Sequence, residues 1–185
     1  VTIPLELHGV IAMKDGSVIK VAIGAGAGDP VFTVDDLLPH LAADQSKKPL
    51  SEAIPGESLN VLVGSRPFKD DEGSERVKLA ILDLLNQKYG IVEEDFISAE
   101  LTAVPAFRAS DIGFDRSLIG SYGHDDRVCG YAALAALFAL DGAPARTAVC
   151  MLADKEEIGS EGVSGMQSAA FDTFMSDLCD AQRVT

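Results

Sequence analysis

The chain has 185 residues, 47% of them hydrophobic, enough for one substantial core or two small ones. A formal net charge of −14 at pH 7 argues against nucleic acid and anionic membranes as partners, and no apolar run approaches the roughly 20 residues of a spanning helix. Cys129, Cys150 and Cys179 are odd in number, widely spaced and set among apolar neighbours, which suits buried thiols in a reducing compartment and offers no close pair for a cysteine zinc site.

Residues 3–13 and 18–23 predict two strands, and Lys14-Asp15-Gly16-Ser17 between them predicts a hairpin turn because Asp-Gly supplies positive φ cheaply. Gly24-Ala25-Gly26-Ala27-Gly28-Asp29-Pro30 is a glycine-rich connection. It lacks the Lys-Ser/Thr of a phosphate loop and the spacing of a dinucleotide fingerprint. Thr33, followed by Asp35 and Asp36, predicts a helix start cut short by Pro39. Residues 45–58, punctuated by Pro49, Pro55 and Gly56, predict a loop, and 59–65 a buried strand. Lys69-Asp70-Asp71-Glu72-Gly73 reads as a solvated turn.

Val77, Ile81, Leu84, Leu85 and Tyr89 then recur at helical spacing, with Gly90 as the stop. Residues 96–104 alternate as a strand with one exposed face, closed by Pro105. Periodicity weakens across 107–115, and the boundary is expected there: a β-rich domain over 1–112, then a second portion over 113–185. Near the far end, 167–181 predicts a helix with Ala170, Phe171, Phe174 and Leu178 on one side, and Met151, Met166 and Met175 read as core residues.

Two acidic clusters lie in the second portion. Gly123-His124-Asp125-Asp126-Arg127 precedes residues 128–140, which predict a well-buried helix, so its acids sit where the helix dipole favours negative charge and could simply cap it. Residues 147–153 predict a buried strand that breaks into Asp154-Lys155-Glu156-Glu157 before Gly159. Ligands of open α/β sheets collect beyond the carboxyl ends of strands, so these acids are placed to converge on a cation. Adjacent acids can divide two tasks, one binding metal and its neighbour reaching a water. A metal-free alternative is a non-catalytic assembly module in which Lys155 and Arg127 neutralise the carboxylates.

Gly-His-Asp-Asp-Arg-Val-Cys-Gly-Tyr at 123–131 and Asp-Lys-Glu-Glu-Ile-Gly-Ser at 154–160, followed by Gly165-Met166-Gln167-Ser168, resemble the aspartyl aminopeptidase family of dinuclear zinc metallopeptidases, of aminopeptidase I type. The likeness extends upstream through Leu7-His8-Gly9-Val10, residues 36–41, 59–65 and Gly113-Phe114-Asp115-Arg116. It implies an α/β fold: part of an inserted β-rich dimerisation domain, then part of a zinc-exopeptidase-like catalytic domain. By the same resemblance Asp125 bridges two metal ions, Glu157 ligates one of them, and Glu156 is the general base, with Asp126 and Arg127 in supporting positions. Zinc is the implied metal, with cobalt or manganese also compatible with a carboxylate-rich site. The implied partners are a peptide substrate and further copies of the chain. His40 has two readings, a partly buried structural histidine or a residue that reaches the active site of a dimer partner. Further ligands of such a site have no counterpart here, so the chain is expected to be an internal piece of a cytoplasmic enzyme and inactive in isolation.

Overall fold

The computed structural model describes residues 2–69 and 73–183, and the chain divides into two compact units, one ending at Arg108 and one beginning at Ala109. The first is built on an antiparallel sheet in which β1 (Leu5–Ala12) lies between β2 (Val18–Ile23) and, much later in sequence, β5 (Ala99–Pro105). The hairpin expected from Asp15-Gly16 is present. Met13 N–H donates to the Ser17 carbonyl (2.8 Å), and the Asp15 carboxylate accepts from both the backbone N–H (2.9 Å) and the hydroxyl (2.6 Å) of Ser17. Ser17 holds the Asp15 carboxyl below its usual range, its hydroxyl first and its backbone N–H second.

Alternation decides what this sheet buries. Val21 and Ile23 share the inner face of β2 with half-buried Ile19, and Ile11 faces them from β1. With Ile91 these residues form the core, Ile11 at 1% and Ile91 at 2% exposure, and Leu85, Tyr89, Phe96 and Phe32 pack around them. Each fully buried isoleucine contributes about 1.5–3 kcal/mol. Gly9 sits in β1 opposite Leu101, so close to the Glu100 carbonyl that any Cβ would collide with it; glycine lets β1 and β5 meet there.

Between β2 and β5 the chain departs from several expectations. No helix starts at Thr33. Instead β3 (Thr33–Val34) pairs with β4 (Val61–Leu62), and Val34 is buried. The Asp36 carboxylate accepts from the Leu37 N–H (2.8 Å), a local bond that competes with a helical turn. The strand expected over 59–65 shrinks to the two residues of β4 and is not buried, since β3 offers a ladder only two residues long. Residues 45–58 contain short helical turns, among them α1 (Leu50–Ala53), which follows Pro49, a residue whose fixed φ suits the entry to a helix. The acidic residues 70–72 of the expected charged turn lie outside the described residues.

Helix α2 (Arg76–Tyr89) follows the apolar spacing closely. Val77, Ile81, Leu85 and Tyr89 are half-buried, Leu84 is exposed, and the Gly90 N–H donates to the Asn86 carbonyl at the end. Lys78 pairs with Glu93; that carboxylate raises the lysine's pKa through its hydrogen bond first and its charge second. A 3₁₀ turn over Glu93–Ser98 replaces the first residues of the expected strand. It is organised by Asp95, whose buried carboxylate accepts from Val92 N–H (2.8 Å).

The second unit opens with a hairpin that weak periodicity conceals, β6 (Ser110–Ile112) and β7 (Leu118–Gly120). Helices α3 (His124–Phe138) and α4 (Ala169–Gln182) follow. Helix α3 forms where expected but is not buried: Val128, Tyr131 and Phe138 are 55%, 74% and 77% exposed. The buried strand expected over 147–153 is absent. Those residues carry no regular secondary structure and are largely exposed, and among the described residues none forms a ladder with them, so their backbone groups lack the partners a strand requires. The cysteines are free, but Cys129 and Cys179 are exposed and Cys150 half-buried, because the apolar segments around them are themselves uncovered. Met151 and Met166 are exposed for the same reason. Among the described residues no helix is long and apolar enough to cross a membrane.

Candidate metal centre

The second unit brings one end of α3 to the loop that follows residue 153. Gly123 caps α3 without a side-chain bond, so Asp125 and Asp126 occupy the first turn and neither is the cap. There the exposed amide N–H groups and the helix dipole favour negative charge. Glu156 and Glu157 ride on a single 3₁₀ turn, Glu156–Ile158. The carboxylates of Asp126, Glu156 and Glu157 converge: one oxygen from each lies within 4.8 Å of the others, and all three residues are exposed. Asp125 is not in this group, since its side chain leaves the helix roughly 100° round from that of Asp126.

The turn that carries the two glutamates is held in an unusual backbone. Lys155 before it (φ 66°) and Ser160 after it (φ 59°) are left-handed, as is Gly159 (φ 86°). Each non-glycine residue in that region costs about 1–2 kcal/mol, so the surrounding bonds must fix it. The Lys155 carbonyl accepts from Ile158 (3.3 Å) and Ser160 (2.8 Å), and Glu156 accepts from Gly159 (3.0 Å). At the neck of the loop Asp154 bridges to Gly165, its N–H donating to the Ser164 carbonyl (3.3 Å) and its carboxylate accepting from the Ser164 hydroxyl (3.1 Å). Gly165 is buried against the Ser160 carbonyl, where a Cβ would have no room.

Both nearby cations have work of their own. Arg127 donates to the Tyr122 carbonyl and stacks its guanidinium 5.7 Å from the Tyr122 ring centre. The Lys155 ammonium lies 3.8 Å from the Asp154 carboxylate. Asp126, Arg127, Cys129, Met151, Glu156 and Met166 are among the residues that line an open groove of 630 Å³ beside the acids. His40 lies in the first unit, in the turn after Pro39, and is exposed rather than partly buried, as a short polar turn without a covering element leaves it.

Oxygen donors around a zinc ion, at about 2.0–2.2 Å from it, can be no more than about 4.4 Å apart. Exposed side chains need only small rotations to contract to that distance, so the triad fits a divalent cation. Carboxylate oxygens are accepted by zinc and also by manganese, magnesium or calcium, so these donors alone do not select the metal. Sequence reasoning names all three acids, though Asp126 only in a supporting position, and misses what holds them: Ser164 carries no charge, and Gln167 stands out only within the 165–168 stretch.

Comparison with known proteins shows what the chain as a whole is similar to. The profile of the aminopeptidase I zinc metalloproteases (M18) matches residues 2–185. A probable M18 family aminopeptidase 1 of Clostridium acetobutylicum is 49% identical over 178 residues, which are 96% of this chain and 38% of the relative. In solved structures, an M18 aminopeptidase from Thermotoga maritima superposes with a TM-score of 0.83 at 43% identity, over 100% of this chain and 40% of that one. Aminopeptidase I from Clostridium acetobutylicum superposes at 0.79 with 49% identity, over 98% and 40%. The chain thus spans about 38% of the length of the curated relatives it matches. With its acids, its α/β elements and its whole matched length pointing the same way, the chain belongs to the M18 family of aminopeptidase I zinc metalloproteases.

Proposed function

We propose that the protein containing this chain is a metal-dependent aminopeptidase that hydrolyses N-terminal residues from peptides. The observation that carries this is the convergence of Asp126, Glu156 and Glu157 on one point beside an open groove. Bound zinc supplies positive charge that polarises a peptide carbonyl and acidifies a water near neutral pH. Glu157 acts as a ligand. Glu156, its neighbour on the same turn, accepts the proton of the attacking water and returns it to the leaving amine. Of the two aspartates, the family resemblance favours Asp125 as the bridging ligand, while the geometry favours Asp126.

The engagement of Arg127 with Tyr122 leaves it poorly placed to neutralise the cluster, which favours the enzyme over a metal-free assembly module. Two zinc ions per complete site, a cytoplasmic setting and a homo-oligomer belong to the same reading. So do a dimerising role for residues 1–112, a catalytic one for 113–185, and a contact from the exposed His40 to a partner subunit's site. Three carboxylates do not complete a two-metal site, so the 185-residue chain alone is expected to be inactive.

The test is zinc content and peptide hydrolysis in the complete protein. Glu157→Gln is expected to lower bound zinc, and Glu156→Gln to retain zinc while kcat falls by about 10²–10⁴. Whichever of Asp125→Asn and Asp126→Asn releases metal identifies the aspartate ligand. Undiminished zinc in Glu157→Gln would sink the reading.

A further inference from the structure

The glutamate turn is gripped from outside by one residue. Gln167 donates its backbone N–H to the Ser160 carbonyl (3.1 Å) and its side-chain Nε2 to the Gly159 carbonyl, so two successive carbonyls of the left-handed segment are held together. Gln167 is itself anchored. Ser168, next in the chain, caps α4 by accepting from Ala170 N–H (3.3 Å) and donates its hydroxyl to the Gly165 carbonyl (2.7 Å). Buried Gly165 presses against Ser160, which brings Gln167 within reach. Helix α4 is thereby connected, through the backbone N–H and the side chain of one residue, to the turn that points Glu156 and Glu157 at Asp126.

We propose that Gln167 is a positioning residue: its amide fixes the Glu156–Ile158 turn so that both glutamates face Asp126, without touching metal or substrate. The proposal rests on the metal reading of those acids given above. Residues that orient ligands from behind commonly change metal affinity 10–100-fold when removed. Gln167 is exposed, so water competes for the Gly159 carbonyl and the low end of that range applies.

The experiment compares Gln167→Met, which keeps the length but loses the donor, and Gln167→Glu, which keeps polarity but turns the donor into an acceptor. In the complete protein, zinc affinity is measured by competition with a chromophoric chelator, kcat and KM are separated, and melting is followed by circular dichroism. Both variants are expected to bind zinc about 10-fold more weakly, with kcat lowered, KM within twofold and melting close to wild type. Wild-type affinity in either variant would overturn the proposal, because the amide donor would not then be the cause. So would failure of both to fold, which would make Gln167 a residue of the fold alone. Glu157→Gln separates the two levels: if it loses zinc while the Gln167 variants do not, only the positioning role fails.

Discussion

The three-stranded sheet of the first unit and the segment 147–153 of the second carry equally strong apolar signals, yet only one of them is buried. In the sheet, Ile11, Val21 and Ile23 meet Ile91 from one face, and every strand has a hydrogen-bonded neighbour. In the second unit, Val149 and Leu152 are 44% and 61% exposed, and helix α3 beside them in sequence buries no residue. Hydrophobic periodicity states which residues need covering. It does not supply the cover, and a strand also needs a neighbour whose backbone completes its ladder.

Cavity formation gives the sharpest break of that comparison. In the 185-residue chain, Ile11→Ala is expected to destabilise the first unit by about 2–4 kcal/mol, while Leu152→Ala changes stability by less than about 0.5 kcal/mol. Urea unfolding of the two variants checks this, and equal losses would mean that 147–153 is packed after all. A smaller effect separates helix from core: Ser168→Ala removes the cap of α4 and is expected to cost about 1 kcal/mol of helix stability. Amide exchange in the first turn of α4 would read it out.

The smallest effect is electrostatic and belongs to the hairpin. Because the Asp15 carboxyl is held below its unfolded value, its contribution is present above that value and is lost as pH falls through the folded one. Lys78 runs oppositely: its raised value gives stability below the unfolded pKa that disappears as pH rises through the folded one. Asp15→Asn is therefore expected to narrow the gap in melting temperature between pH 7 and pH 3. An unchanged gap would show that the turn's hydrogen bonds to Ser17 do not favour the ionised carboxylate.

What the sequence made legible follows from where the determining forces are local. Asp15-Gly16 makes its turn from its own chemistry, and α2 declares its buried face by spacing and its end by Gly90. Thr33 misleads because a long-range partner, β4, draws Val34 into a strand, and Asp36 spends its carboxylate on Leu37. The acids of the candidate centre stand out as charge, whereas the residues holding them do so by geometry alone. Gln167 stands in the sequence only as part of the 165–168 stretch that resembles the family, with no task of its own until the carbonyls of Gly159 and Ser160 are placed beside it.

One consequence of the sheet concerns time rather than stability. Ala12 pairs with Val18 across a tight turn, but Leu5 pairs with Pro105, so one strand has both the nearest and one of the most distant partners in its unit. A hairpin of that kind closes in about 1–10 μs, whereas the second pairing must wait for a long loop to close, which is the slow part of assembling non-local sheets. Until β5 arrives, β1 presents an open edge to any other extended chain. The glycine that lets the two strands meet closely thus sits on the edge of β1 that must wait for its distant partner.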